Sequence, residues 1–150
     1  MKTLCIVPCG IKKIWDRNPN AGPTKARHAY IGPFAKKCRE YADRFYTSSY
    51  CILSAKHGFL FPDDIVPGPY NASFKKKETN PLAIDDLLAQ SKAKGLDKHE
   101  NIVALGGQDY TNIVRAVFSN KEIYAPLEKC GRIGNMMGKM KKAIEGGTPL

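Results

Sequence analysis

The sequence lacks any apolar run long enough to cross a membrane, and it has no typical secretion signal. Spanning a bilayer takes roughly 18 to 20 consecutive apolar residues, and the hydrophobic stretches here are far shorter. The opening MKTLCIVPCG reaches Pro and Gly too soon for a signal peptide. It is better interpreted as a first buried strand. We therefore expect a cytoplasmic protein without membrane contact.

Metal-binding and disulfide patterns are also missing. The five cysteines are irregularly spaced and form no CxxC pair, and the three histidines lie far apart at 28, 57 and 99. Cysteines inside apolar runs behave as small hydrophobic residues. Only Cys9, which ends a predicted strand, stays a candidate binding residue. We expect neither a metal nor an organic cofactor.

Acidic residues are scarce relative to basic ones. The chain has 14 Asp and Glu against 24 Lys and Arg, which gives a formal net charge of +10 and a pI near 9.4. Such a surplus favours a polyanionic partner, because each neutralised phosphate releases condensed counterions. The alternative is a solvated basic surface without a partner.

Four short apolar runs, at 4–7, 50–53, 102–105 and 123–125, alternate with segments of helical periodicity. Runs without polar alternation are typical of strands buried on both faces of a parallel sheet. The pattern predicts a three-layer α/β/α fold with a central, mainly parallel four-stranded sheet. We expect one domain over residues 1–150 and favour a monomer. The long loops predicted at 10–25 and 55–80 follow strand ends, where open α/β sheets bind ligands.

The loop after the first strand combines cations with an aromatic residue and a carboxylate. Cys9 and Gly10 are followed by Lys12, Lys13, Trp15 and Asp16. These residue types suit a site that binds a phosphate, stacks a base and holds a general base. A surface loop with an inward-packed Trp15 is the alternative.

The loop after the second run, LSAKHGFL with a later PY, carries a second group of candidates. They are Ser54, Lys56, His57, Phe59 and Tyr70. Small residues at the strand end let a flat ligand approach the backbone. Phe59 or Tyr70 would stack on a base, and His57 is a candidate catalytic residue, although a lone histidine is more often a surface residue.

A glycine pair, Gly106 and Gly107, lies between the third run and the next helix. Its backbone N–H groups would face an anion. Asp109 could equally be a simple N-cap.

The last run leads through Pro126 and Leu127 into a helix that opens with glycine and arginine. The candidate anion-binding residues at this helix start are Arg132, Gly134 and Asn135. A helix N-terminus favours phosphate through its dipole and its unpaired N–H groups. The methionines behind it are most simply core residues.

Taken together, these motifs resemble the DUF6884 family, which is similar in turn to the YaaA-like proteins. The likeness rests on the lysine-bearing first loop, on Ser54, Gly58 and Pro69-Tyr70, on LGGxxY, and on the final PLxxxGxIG pattern. It covers nearly the whole chain. The YaaA-like resemblance implies a DNA-binding protein.

A more distant likeness concerns the uracil-DNA glycosylases, in which a late strand ends in a Pro-Leu loop before a glycine-rich helix. Pro126, Leu127, Gly131 and Gly134 match that pattern. In that superfamily the loop supports minor-groove contact beside an extruded nucleotide. The histidine that leads the motif is absent here, so the resemblance implies that the leaving base is stabilised differently.

These observations predict a DNA glycosylase-like enzyme that hydrolyses the N-glycosidic bond of a damaged or modified base, in repair or in attack on modified phage DNA. Asp16 would stabilise the cationic sugar or position water. Lys12, Lys13, Lys56 and Arg132 would hold phosphates. A non-catalytic DNA-binding protein, and a hydrolase or transferase of free nucleosides or nucleotides, are the alternatives.

Overall fold

The structure is a computed structural model that describes residues 3–150; Met1 and Lys2, which the expected domain includes, lie outside the described residues. The described residues contain seven strands, four of which overlap the four apolar runs predicted to be strands. The strands are β1 (Thr3–Pro8), β2 (Thr24–Lys25), β3 (Tyr50–Ser54), β4 (Gly58–Leu60), β5 (Ile65–Val66), β6 (Asn101–Ala104) and β7 (Glu122–Tyr124).

Six α-helices lie between these strands in the described part of the chain. They are α1 (Ile14–Arg17), α2 (Ala26–Ala29), α3 (Pro33–Phe45), α4 (Ile84–Ala93), α5 (Gln108–Val117) and α6 (Ile133–Gly146). Two 3-10 turns, Lys77–Thr79 and Leu96–Lys98, precede and follow α4. The fold is therefore mixed α/β, as the alternation of patterns predicted.

The main sheet has five strands in the order β4-β3-β1-β6-β7. β1 lies at its centre and pairs in parallel with β3 and β6, and β7 continues the parallel part beside β6. The strand β1 is buried on both faces, which explains its uninterrupted apolar sequence. The prediction of a mainly parallel sheet is confirmed, but the predicted number of four strands is wrong by one.

The additional strand is β4, which pairs antiparallel with β3 at the edge of the sheet. Only three residues separate the two strands, and Gly58 adopts a φ of +76° where the chain reverses. The side chain of Gln90 then closes the turn, because its Oε1 accepts the Phe59 N–H and its Nε2 donates to the His57 carbonyl. The strand β4 therefore lies within residues 55–80, which were predicted to form a loop.

Helices cover both faces of the sheet, and alternate residues of β1 face the two cores. Cys5 and Val7 lie in the core beneath α3 and α6. Leu4 and Ile6 lie in the opposite core, beneath α4 and α5. This two-residue periodicity is what a strand between two helical layers requires.

The loop predicted at 10–25 also contains regular structure. It includes α1 and β2, and β2 forms a small antiparallel sheet with β5. The chain after β2 forms two separate helices, α2 and α3, with proline in the first turn of α3. Over residues 3–150, no helix combines the length and apolarity needed to traverse a bilayer.

The strand order places a topological switch point between β1 and β6. From β1 the chain crosses through α3 to β3 on one side, and it later crosses through α4 to β6 on the other. A crevice opens between the carboxyl ends of two such strands, and ligands of open α/β sheets bind there.

Candidate functional site

Two adjoining cavities open at the carboxyl edge of the sheet, next to the switch point. We call the first the apolar cavity; its volume is about 360 Å³ and its walls include Phe34, Phe74 and Met136. The second, the lysine cavity, measures about 350 Å³ and contains Lys13. The two share part of their lining, namely Gly10, Ile11, Ser73 and Tyr110. The two cavities are therefore adjacent parts of the same edge of the sheet.

The apolar cavity has an aromatic wall and is bordered by helix starts. Phe74 meets Tyr110 edge-on, with ring centroids 6.0 Å apart. The N-cap residue Gly32 of α3, the N-cap residue Gly107 of α5 and the first residue of α6, Ile133, all line the cavity. None of these three helices has a side-chain cap. Uncapped N–H groups and three helix dipoles favour a ligand with an anionic group beside its flat part.

Lys13 is the central residue of the lysine cavity and is only 6% exposed. Its Nζ donates to the Ile11 carbonyl over 2.9 Å and lies 4.4 Å from the centre of the Tyr70 ring. Burial lowers the pKa of Lys13, and the nearby Cys9 and Asp16 oppose that change. The carbonyl and the aromatic face hold the amine in a fixed place.

Tyr70 anchors the loop that covers the lysine cavity. Its Oη lies 2.5 Å from the Tyr30 Oη and 2.7 Å from the Ser54 Oγ. Tyr30 and Ser54 are completely buried. Burial raises the pKa of Tyr70 and also that of Tyr30, the latter to about 12, so both phenols stay protonated at neutral pH. The predicted residues Ser54 and Tyr70 are thus brought together.

Cys9 lines the lysine cavity and is 4% exposed. Its Sγ is 3.4 Å from the Tyr110 Oη. Burial raises the pKa of Cys9 and outweighs the effects of Tyr110 and Lys13, which lower it. A thiol in this state is a poor nucleophile. Cys9 therefore serves as part of the wall, with Tyr110 as its polar partner.

Asp16 lines the lysine cavity and is exposed to solvent. Its Oδ2 accepts the backbone N–H of Lys13 over 2.8 Å, at the start of α1. This bond fixes the carboxylate and the lysine backbone relative to one another. The predicted pair of an acidic and a basic group after the first strand is thereby present in one cavity.

Lys56 and His57 lie close to Tyr70 on the other side of the site. The His57 ring meets the Tyr70 ring edge-on at 5.1 Å, and the Lys56 Nζ is 5.9 Å from the centre of that ring. Burial lowers the pKa of His57, and the charge of Lys56 lowers it further. The imidazole is consequently neutral at pH 7. His57 does not belong to the described lining of either cavity, so its catalytic role stays a prediction.

Two residues predicted to stack on a base lie elsewhere. Trp15 is 6% exposed within the core under α3 and α6, and its Nε1 donates to the Gly22 carbonyl over 3.0 Å. Phe59 is fully buried in the opposite core, where it packs on Phe118. Neither ring is available to a ligand in this structure.

The segment after β7 divides into a buried and an exposed part. Pro126 is buried and Leu127 is 0% exposed, so Leu127 is a core residue and not a surface wedge. Arg132, Gly134 and Asn135 are exposed at the start of α6. Ile133, in the first turn of α6, is 56% exposed and lines the apolar cavity.

The side chain of Lys12 is exposed beside the site. The remaining predicted residues are glycines, which contribute only their backbone. Gly10 lines both cavities with a φ of +73°. Gly106 has a φ of +111° and a Cβ there would lie 3.4 Å from Pro8, whereas Gly107 lines the apolar cavity. These positive φ angles favour glycine because a side chain would be strained.

Sequence reasoning missed the aromatic residues that make the apolar cavity. Phe34, Phe74 and Tyr110 come from three separate segments, and each looked like an ordinary core residue of its helix or loop. The one available signal was their position, since Phe34 and Tyr110 each lie in the first turn of a helix that begins at the carboxyl edge.

The sequence matches a known protein family over most of its length. A family model described as a family of unknown function, DUF6884, matches residues 4–142. The chain belongs to the DUF6884 family. It is also 43% identical over 146 residues to the uncharacterized protein YfjM of Bacillus subtilis (strain 168), and the match covers 97% of each chain. No solved structure shows a significant match.

Metal ligands are not grouped in the part of the chain that the structure describes. Among residues 3–150, no cluster of three or more His, Cys, Asp or Glu side chains is arranged to hold a metal ion.

Proposed function

We propose that this protein binds DNA across the carboxyl edge of its sheet and hydrolyses the N-glycosidic bond of a damaged or modified base. The observation that carries the proposal is the pairing of two adjacent cavities with contrasting chemistry. An aromatic slot suits a base turned out of the duplex, and the lysine cavity beside it suits the attached sugar and phosphate. The distant resemblance to uracil-DNA glycosylases supports the same reading.

The apolar cavity would accept the base. Phe34, Phe74 and Tyr110 offer flat surfaces for it, and base–aromatic stacking is worth about 1–3 kcal/mol per base. The helix starts and Lys75, which also lines this cavity, would meet phosphate oxygens. Lys75 is paired with Asp109 over 3.4 Å, but both are 62% exposed, so a phosphate can replace the carboxylate at little cost.

The lysine cavity would hold the sugar. When the bond between C1′ and the base nitrogen breaks, positive charge develops on the sugar, and the Asp16 carboxylate stabilises it or orients the attacking water. Water adds its oxygen to C1′, and the departing base keeps the bonding electrons and takes up a proton. The cationic Lys76 in the same cavity would bind the adjacent phosphate.

Exposed apolar residues stand at the rim where the duplex would lie. Ile11 is 77% exposed and Ile133 is 56% exposed, and both line the apolar cavity. Apolar side chains inserted between base steps help to unstack a duplex. These two residues therefore have the placement that the sequence pattern had suggested for Leu127.

The decisive experiment measures base release. Duplexes carrying a panel of damaged or modified bases, together with phage DNA, are incubated with the protein, and released bases and alkali-labile sites are quantified. Wild-type protein should release a base from at least one substrate. Asp16→Asn should bind the same DNA yet release no base, whereas Asp97→Asn, at the opposite edge of the sheet, should behave as wild type. Release from none of these substrates would remove the enzymatic proposal.

A second candidate is a hydrolase or transferase that cleaves the N-glycosidic bond of a free nucleotide. The observation that favours it is size, because two adjoining cavities of about 360 and 350 Å³ hold one nucleotide rather than a longer chain. Mononucleotide binding measured by calorimetry separates the candidates. Binding to duplex DNA that weakens steeply with salt, together with no mononucleotide binding, supports the DNA enzyme.

A further inference from the structure

Lys13 is a buried amine with unusual surroundings. It is 6% exposed, although lysine is almost never buried without a charged partner. Its backbone is fixed by a bridge to Tyr30 and by the bond from its N–H to Asp16. The position of the side chain is therefore built into the fold and does not result from chance packing.

The Lys13 amine is partnered by a carbonyl and an aromatic ring, not by an acid. Its Nζ contacts the Ile11 carbonyl and the Tyr70 ring. Among residues 3–150, no carboxylate oxygen lies within ion-pair distance of this nitrogen. A buried cation without a paired anion is costly, and such groups concentrate at functional sites. Burial also lowers its pKa, which increases the fraction of free amine at neutral pH.

The geometry points to Lys13 as a nucleophile that forms an imine with the aldehyde of an abasic deoxyribose in the lysine cavity. This inference rests on the proposed function, because the abasic sugar is the product of base removal. A desolvated lysine facing a cavity is the usual form of an imine-forming residue. It would give the protein a second activity, cleavage of the DNA strand at the abasic site.

The chemistry is complete without an oxidant or a reductant. The free amine of Lys13 attacks C1′ of the ring-opened sugar, water leaves, and the resulting imine takes up a proton from the solvent. Asp16, which lines the same cavity, accepts a proton from C2′. The electron pair of that bond then forms the C2′–C3′ double bond and expels the 3′ phosphate. Water finally hydrolyses the imine and restores the amine.

The test uses a duplex in which a single abasic site has been made beforehand by another enzyme. The protein is added with sodium borohydride, which reduces an imine to a stable secondary amine. We expect a covalent protein–DNA adduct, mapped by mass spectrometry to Lys13, and strand cleavage when borohydride is omitted. Lys13→Arg, which keeps the positive charge but cannot form this imine, should lose both.

A matched control comes from the opposite edge of the sheet. Lys98 is exposed and lies just before β6, so Lys98→Met should keep the adduct and the strand cleavage. No adduct with wild-type protein, or an adduct on another lysine or on the terminal amine, would overturn the inference. Because the abasic site is supplied ready-made, an adduct without base release refutes the proposed glycosylase alone. Base release without an adduct refutes the role of Lys13 alone.

Discussion

The Nζ atom of Lys13 lies 4.4 Å from the centre of the Tyr70 ring, and the hydroxyl of the same tyrosine is bound to Tyr30 and Ser54. Tyr70 thus connects the end of β3 to the loop that carries Lys13. Its ring contacts the amine while its hydroxyl secures the loop. Removing only the hydroxyl of Tyr70 therefore separates its effect on the loop from the contact between its ring and Lys13.

Tyr70→Phe should lower the free energy of unfolding by about 1–2 kcal/mol, because the buried Tyr30 and Ser54 hydroxyls each lose a hydrogen-bond partner. The Phe ring should still hold Lys13. Urea denaturation measures the change, and Tyr124→Phe, at a side chain that is 54% exposed, serves as the control. Equal stability of Tyr70→Phe and wild type would contradict the role of this hydroxyl.

Gly58→Ala should destabilise the protein more than Gly22→Ala, although both glycines have a positive φ. At Gly22 the new Cβ meets no atom within 4 Å, so only backbone strain of about 1 kcal/mol is expected. At Gly58 the Cβ would lie 2.2 Å from the Gln90 Oε1, which closes the β3–β4 turn.

We therefore expect an additional loss of about 1–3 kcal/mol for Gly58→Ala, since displaced Gln90 leaves the Phe59 N–H and the His57 carbonyl without this partner. Thermal unfolding of the two variants side by side gives the difference. Similar melting temperatures would show that Gln90 can move without cost.

Glu128 should stabilise the protein at neutral pH and lose this effect in acid. It accepts two hydrogen bonds from Arg115, at 2.5 and 3.0 Å, and a third from Thr111. The Arg115 guanidinium, followed by Thr111, holds the pKa of Glu128 below its ordinary value. The stabilising contribution of ionised Glu128 is therefore fully present above about pH 4.3. It is lost as the pH falls through the lowered pKa of Glu128.

Comparing wild type with Glu128→Gln by urea denaturation at pH 7, 5 and 3 tests this expectation. At pH 7 the free energy of unfolding of Glu128→Gln should be lower than that of wild type by about 1 kcal/mol. The effect is small because Arg115 is 42% exposed and water screens the pair. It should shrink towards pH 3. Glu145→Gln, on the exposed side of α6, should show no such trend. A stability difference between wild type and Glu128→Gln that grows in acid would contradict stabilisation by the ionised carboxylate.

Ile11→Ala should leave stability unchanged within about 0.5 kcal/mol, because the side chain is 77% exposed. If Ile11 enters the base stack, the variant should bind duplex DNA more weakly and single-stranded DNA as well as wild type does. Fluorescence anisotropy with both forms measures this selectivity. Ile65→Ala, at an exposed residue of the small sheet, is the control. Equal losses on both forms of DNA would exclude a wedge.

The sequence alone determined the alternation of strands and helices and the parallel core of the sheet. These features follow from local periodicity, since strands such as β1 and β3 are apolar on both faces and α3 and α6 carry an apolar stripe. Periodicity also placed the candidate loops after strand ends. The rule for open α/β sheets then pointed to the edge at which the two cavities open.

Only the tertiary structure decided which side chains face the cavities. Trp15 and Phe59 turn into the two cores, whereas Phe34, Phe74 and Tyr110 meet at one wall although they lie far apart along the chain. The burial of Lys13 beneath Tyr70 likewise depends on contacts between distant segments. The physical reason is that local sequence fixes the direction of a backbone segment, while the neighbour that a side chain meets is set by how all segments pack.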